Sequence, residues 1–235
     1  MSYADDALHY DPFAADAAAD ARGAFIRRTY IHLFGAILAF IGLEAVFLGI
    51  EPLKITLINV IGGNFWIAAI AFFAVSWVAN WWAHSGVSPA LQYLGLAAYV
   101  VAEALIFVPL LFFAHSFNET IIPTAGFLTL LIFGGLTVTV MVSGADFSFL
   151  RGFLVVASLL AVGAIVGSFI FGYGLGIWFS AAMIGIASGF ILYDTSNVLH
   201  HYRTDQYVAA SLALFASVAT LLWYVIRLLM SLGDD

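Results

Sequence analysis

An all-α integral membrane protein is the fold class this sequence predicts, on three observations. Apolar residues make up 64% of the 235, and charged residues only 9%, where a soluble chain carries roughly a quarter of its residues charged. Mean hydropathy is +1.07. The apolar residues run in unbroken windows of about 20, the length a helix needs to cross the hydrocarbon of a bilayer. Strands of a membrane barrel would alternate polar and apolar residues over about ten positions, and these windows do not alternate.

The chain opens on an Ala/Asp-rich stretch holding Asp5, Asp6, Asp11, Asp16 and Asp20. A cleavable signal peptide begins with positive charge and then an apolar run, so residues 1–24 are expected to be an acidic, mobile cytoplasmic tail. Residues 25–235 then form the membrane domain, with the first span acting as an uncleaved signal. That span covers about 29–50 and ends at Glu51-Pro52; the segment 53–63 after it is too short to cross and is expected at the interface. The second, 64–83, closes on Trp81-Trp82, whose amphipathic rings suit the headgroup level. The third, 90–114, follows Ser88-Pro89, and the fourth, 123–143, opens on Pro123, a residue well placed at a helix start.

Gly144-Ala145-Asp146 separates the fourth window from the fifth, 149–171. Gly172, Gly174 and Gly176 mark a tight turn into the sixth, 177–199, and the polar link 200–206 leads to the last, 207–232. The count is seven; the alternative is six with one re-entrant hairpin at the glycine-rich turn. Small residues four apart, Gly163 with Gly167 and Gly185 with Gly189, are expected to let helices approach closely. With seven spans, Arg22, Arg27, Arg28, Arg151 and Arg203 share the N-terminal side, while Lys54 and Arg227 lie toward the other. Positive charge gathers on the cytoplasmic side, so the N-terminus is expected there.

Charge and composition exclude several functions. The chain has no cysteine and a formal net charge of −7, with five acids in the tail. Disulfides and thiolate metal sites are thereby ruled out, and no basic footprint for nucleic acid is present. His32, His84 and His115 are scattered, no HExxH or Gly-x-Ser-x-Gly occurs, and zinc proteolysis or serine hydrolysis has no support. No enzyme activity, catalytic residue, metal site or cofactor is expected.

Ionisable residues inside spans are costly and point to function by default. Four qualify: Glu44, Glu103, Asp194 and Arg227. Glu103 stands near mid-membrane with no charge within a helical turn, and two readings stay open, a station on an ion or proton pathway and a neutral acid hydrogen-bonded in the bundle. Glu44 and Arg227 should lie in the same outer portion of the membrane, where they are expected to form a structural ion pair. His200 and His201 follow Asp194 on the N-terminal side, and histidine titrates near physiological pH. They are candidates for a pH-responsive loop.

Three stretches in succession, FGGLT at 133–137, DFSFL at 146–150 and the run 189–195 ending in ILYDT, resemble the signatures of the Bax inhibitor-1 family. Phe25 to Tyr30 and the last span around Arg227 fit more loosely, and the resemblance covers about residues 25–230. It implies a seven-helix bundle with the last helix surrounded by the other six, and a pH-sensitive leak of calcium or another cation. It also implies a gate made by two acids on the last two helices. Asp194 matches the first; the second position holds Ser217, so a shared-proton latch does not carry over. A non-transporting regulator of a membrane-anchored protease, or of a cell-death or stress pathway, is the alternative implied by the same resemblance. The absence of cysteine and of a cleavable leader favours a bacterial inner membrane.

Overall fold

The computed structural model describes residues 12–84 and 88–233. Among the described residues eight α-helices follow one another: α1 (Ala19–Gly49), α2 (Glu51–Leu57), α3 (Phe65–Ala83), α4 (Pro89–Phe117), α5 (Ile121–Ser143), α6 (Leu150–Phe171), α7 (Ile177–His200) and α8 (Tyr207–Leu232). Seven of them, all but α2, are long and apolar enough to cross a membrane. The seven windows therefore stand. α6 and α7 are separate helices of 22 and 24 residues, which removes the re-entrant alternative. The short α2 and the π-helical turn Ile58–Gly62 occupy the connection expected at the interface.

Local chemistry sets the ends. Ser88 caps α4 by accepting the Leu91 amide at 3.3 Å, and Pro89 takes the first turn, where its missing N–H costs nothing. Gly144 and Gly172 end α5 and α6 at φ +62° and +72°, the left-handed conformation that glycine reaches without a Cβ clash. Outward residues are large and apolar, among them Trp77 at 76% exposure, Val142 at 83% and Trp178 at 85%. In water, apolar area of that kind costs about 25 cal/mol per Å²; in lipid it costs nothing.

The core forms where α1, α4 and α8 meet. Phe40 sets its ring edge on Phe107 at 5.0 Å and on Phe215 at 6.1 Å, and Trp223 meets Phe107 at 5.0 Å. α8 is the most buried span, with 56% of its window inside the bundle, and it packs on α1, α3, α4, α5 and α7. α6 leans on α7 instead, and only 11% of its window is buried. The last helix is thus central but is not enclosed by all six others.

Tight helix packing falls where the spacing of glycines did not point. A Cβ on Gly95 of α4 would come 2.6 Å from the Ala79 carbonyl of α3, whereas Gly163 and Gly185 face open space and Gly189 meets only the tip of Leu154. Backbone cannot yield as a side-chain tip can. Gly95→Val is expected to destabilise the protein by about 1–3 kcal/mol, seen as a lower thermal midpoint in detergent; an unchanged midpoint would contradict this contact.

The tail expectation is narrowed. The Thr204 amide donates to the Pro12 carbonyl at 3.1 Å, the Ala14 amide donates to the Tyr202 carbonyl at 2.8 Å, and Ala14 is fully buried. Residues 12–14 therefore bind the α7–α8 loop, and α1 begins at Ala19, inside the stretch read as tail. Extended backbone here finds its hydrogen-bond partners in another loop, a pairing that local composition does not reveal. The expected mobility of residues 1–11 lies outside the described residues.

Candidate functional site

The site is a cavity of about 510 Å³ among α3, α4, α6, α7 and α8. Its space has a simple origin. α8 presents Ala213, Ala216, Ser217 and Thr220, all small, toward α7, and α6 contributes Ser158 and Ala161. On α7, Met183, Ala187, Phe190 and Asp194 recur at helical spacing along one wall, as residues three and four apart must. The lining is largely apolar, and its acids are Glu103 from α4 and Asp194 from α7.

Both acids are buried, Glu103 at 6% exposure and Asp194 at 8%. Ser217, itself buried, donates its hydroxyl to Oδ2 of Asp194 at 2.6 Å. The Tyr99 hydroxyl, one turn earlier on α4, lies near the Glu103 carboxyl. Asp194 lies six residues from the end of α7 and Glu103 fourteen from the start of α4, about 9 and 21 Å in from the N-terminal side at 1.5 Å per residue. The two acids thus stand at different depths in one space. A carboxylate held away from water draws either a proton or a cation, and oxygen ligands of this type suit a hard cation such as calcium.

The other expected pairing is not formed. Both carboxylate oxygens of Glu44 lack a hydrogen-bond partner, and no salt bridge joins it to Arg227. Lying in the same outer portion of neighbouring helices does not fix which face of each helix a residue occupies: Glu44 is buried, whereas Arg227 is half-buried.

His200 and His201 part company. His200 bonds through Nδ1 to the Ser196 carbonyl within its own helix, at 3.0 Å. His201 places Nε2 3.1 Å from Oδ2 of Asp146, in the loop between α5 and α6. Oδ1 of Asp146 accepts the Ser148 amide at 2.8 Å and the Ser196 hydroxyl at 3.2 Å, and Ser196 Oγ in turn accepts the Phe147 amide at 2.8 Å. The aspartate of DFSFL is thus a clasp between that loop and the end of α7, a role its loop position alone did not disclose.

Hydrogen bonding from the Ser148 amide, helped by His201, holds the Asp146 carboxyl down at about 2. A depressed carboxyl adds stability that is complete above its ordinary range near 4 and is lost as pH falls toward 2. Asp146→Asn is therefore expected to flatten the fall of the melting midpoint between pH 4 and pH 2. A curve parallel to the wild type would show that the clasp contributes nothing.

The motif segments also converge above this clasp. Tyr30 of α1, Thr137 of FGGLT on α5 and Thr195 of ILYDT on α7 bring three buried hydroxyls together without a well-formed hydrogen bond among them. Motifs spread over 166 residues of chain, from 30 to 195, thus meet in one place. A sequence model of the family described as inhibitor of apoptosis-promoting Bax1 matches residues 22–234. The chain belongs to the Bax inhibitor-1 family.

Relatives at full length and at half length agree. The Golgi anti-apoptotic protein of Vaccinia virus (strain Lister) is 27% identical over 226 residues, 96% of this chain and 92% of its own. Protein lifeguard 4 of Mus musculus is 23% identical over the same shares of the two chains. Bax inhibitor 1 of Schizosaccharomyces pombe is 36% identical over 122 residues, half of this chain and 44% of its own. This Bax inhibitor-1 family protein is an integral membrane protein in contact with the lipid bilayer.

Proposed function

We propose that the protein is a pH-sensitive leak channel for calcium or another cation, without enzymatic activity or cofactor. The observation that supports it is the meeting of Glu103, Asp194 and Ser217 on one cavity inside the bundle. Two carboxyls at different depths offer a cation successive oxygen stations, and protons compete for the same oxygens, so flux should respond to pH. In this reading Asp194 lines the exit on the N-terminal side, which the excess of arginines makes cytoplasmic. The membrane is the bacterial inner membrane.

The test is direct. Purified protein in liposomes loaded with a calcium-sensitive dye should admit calcium faster than protein-free vesicles, at a rate that changes across pH 6 to 8. Folded, inserted protein with no flux above the blank would end the transport reading.

A second reading has its own support. The relatives named for anti-apoptotic action suggest a regulator, and residues 12–14 tie the acidic end of the chain to the α7–α8 loop. A membrane-anchored protease or a cell-death or stress pathway would be its target. Removing residues 1–11 separates the two readings, since it spares α1 and the docked residues. A channel keeps its flux, whereas a regulator that acts through its tail loses its partner.

A further inference from the structure

A second cavity, of about 530 Å³, opens where the N-terminal-side ends of α3, α6 and α7 meet the α7–α8 loop. Its lining is far more polar than that of the first: His84, Ser148, Arg151, Asn197, His201 and Tyr202 are among the residues that line it. We propose that this cavity binds an anionic phosphate group, either the monoester headgroup of an acidic lipid or free phosphate.

Arg151 carries the argument. The chain has twice as many acids as bases, 14 against 7, yet among the described residues no carboxylate lies within ion-pair distance of this guanidinium. The acid of the loop that leads into α6, Asp146, is already committed. One of its oxygens holds the Ser148 amide and the Ser196 hydroxyl, and the other faces His201. Asp205, in the α7–α8 loop, faces Arg203 at 3.5 Å, and Asp194 is buried in the other cavity. A planar guanidinium with free donors is the side chain best matched to phosphate oxygens.

The remaining groups complete the set. His84 donates its Nδ1–H to the Asn80 carbonyl at 2.9 Å, which leaves Nε2 as an acceptor for the remaining P–OH of a singly protonated phosphate. Burial, with Asp194 adding to it, raises the Tyr202 phenol, so that it stays a hydrogen donor. Asn197 and Ser148 supply an amide and a hydroxyl. Position fits as well, because Arg151 is the second residue of a membrane-spanning helix and so stands at the level of lipid phosphates. The inference does not depend on whether the bundle conducts ions.

Native mass spectrometry of the intact protein in detergent tests it, with phosphatidic acid, phosphatidylcholine and inorganic phosphate as separate probes. The wild type should retain phosphatidic acid or inorganic phosphate and not phosphatidylcholine, whose choline cancels the charge. Arg151→Gln should weaken retention about tenfold or more, the size expected for a lost charge-assisted bond. His84→Ala should weaken it less, and Arg22→Gln, on the same membrane side but outside the cavity, should leave it unchanged. Retention of inorganic phosphate identifies a soluble anion; retention of phosphatidic acid alone identifies a headgroup. No retention by the wild type, equal retention by Arg151→Gln, or equal weakening by Arg22→Gln overturns the proposal.

Discussion

Asp194→Asn is expected to lower calcium flux through the reconstituted protein by at least ~tenfold while leaving it folded. The asparagine is nearly isosteric and keeps an oxygen for the Ser217 hydroxyl, now 2.6 Å from Oδ2, so the α7–α8 contact survives. What disappears is a formal charge in a mostly apolar cavity. A unit charge about 4 Å from a monovalent cation is worth ~4 kcal/mol at an effective dielectric of 20, and a third of that is already a tenfold change. Ser217→Ala provides the contrast. It keeps the charge and removes one hydrogen bond, worth ~1 kcal/mol net, so its effect on flux should be several-fold smaller. Both proteins should melt near the wild type. Undiminished flux in folded Asp194→Asn would take Asp194 out of the pathway; flux lost only in proportion to folded protein would make it a structural residue.

The seven spans were legible because lipid imposes a local rule. Each crossing helix satisfies its own backbone and needs apolar residues all around, so boundaries such as Gly144 and Gly172 stand out from the letters alone. Side-chain partners obey no such rule. That Asp194 would face Ser217 followed from family spacing, but that Glu103 of α4 opens on the same cavity depends on how α4, α7 and α8 pack. The same limit hid the Asp146–His201 clasp, whose residues lie 55 apart, and the docking of Ala14 on Tyr202. It also misled the pairing of Glu44 with Arg227, since a shared depth does not say which faces of α1 and α8 meet. Gly95 was unreadable for another reason: its partner is the Ala79 carbonyl, and a backbone atom leaves no mark in composition.

Glu103 offers the sharpest test of whether the cavity works as a unit. Glu103→Gln removes the deeper carboxyl but keeps a polar group for Tyr99, and it is expected to lower flux by an order of magnitude, about as much as Asp194→Asn. The combination of the two is the informative protein. Independent sites would multiply, giving about a hundredfold loss, since distant changes add in free energy. Stations in one path instead share the cation, so once either is gone the other has less to hold. The double substitution should therefore fall well short of the product, with a coupling of ~0.5–3 kcal/mol. Tyr99→Phe separates this from a merely structural acid: it deletes the hydroxyl near Glu103 and spares the charge. Flux that survives Tyr99→Phe but not Glu103→Gln assigns the carboxyl to the pathway. Flux that survives both leaves Asp194 to act without it, and a double substitution that simply multiplies shows two acids that act independently.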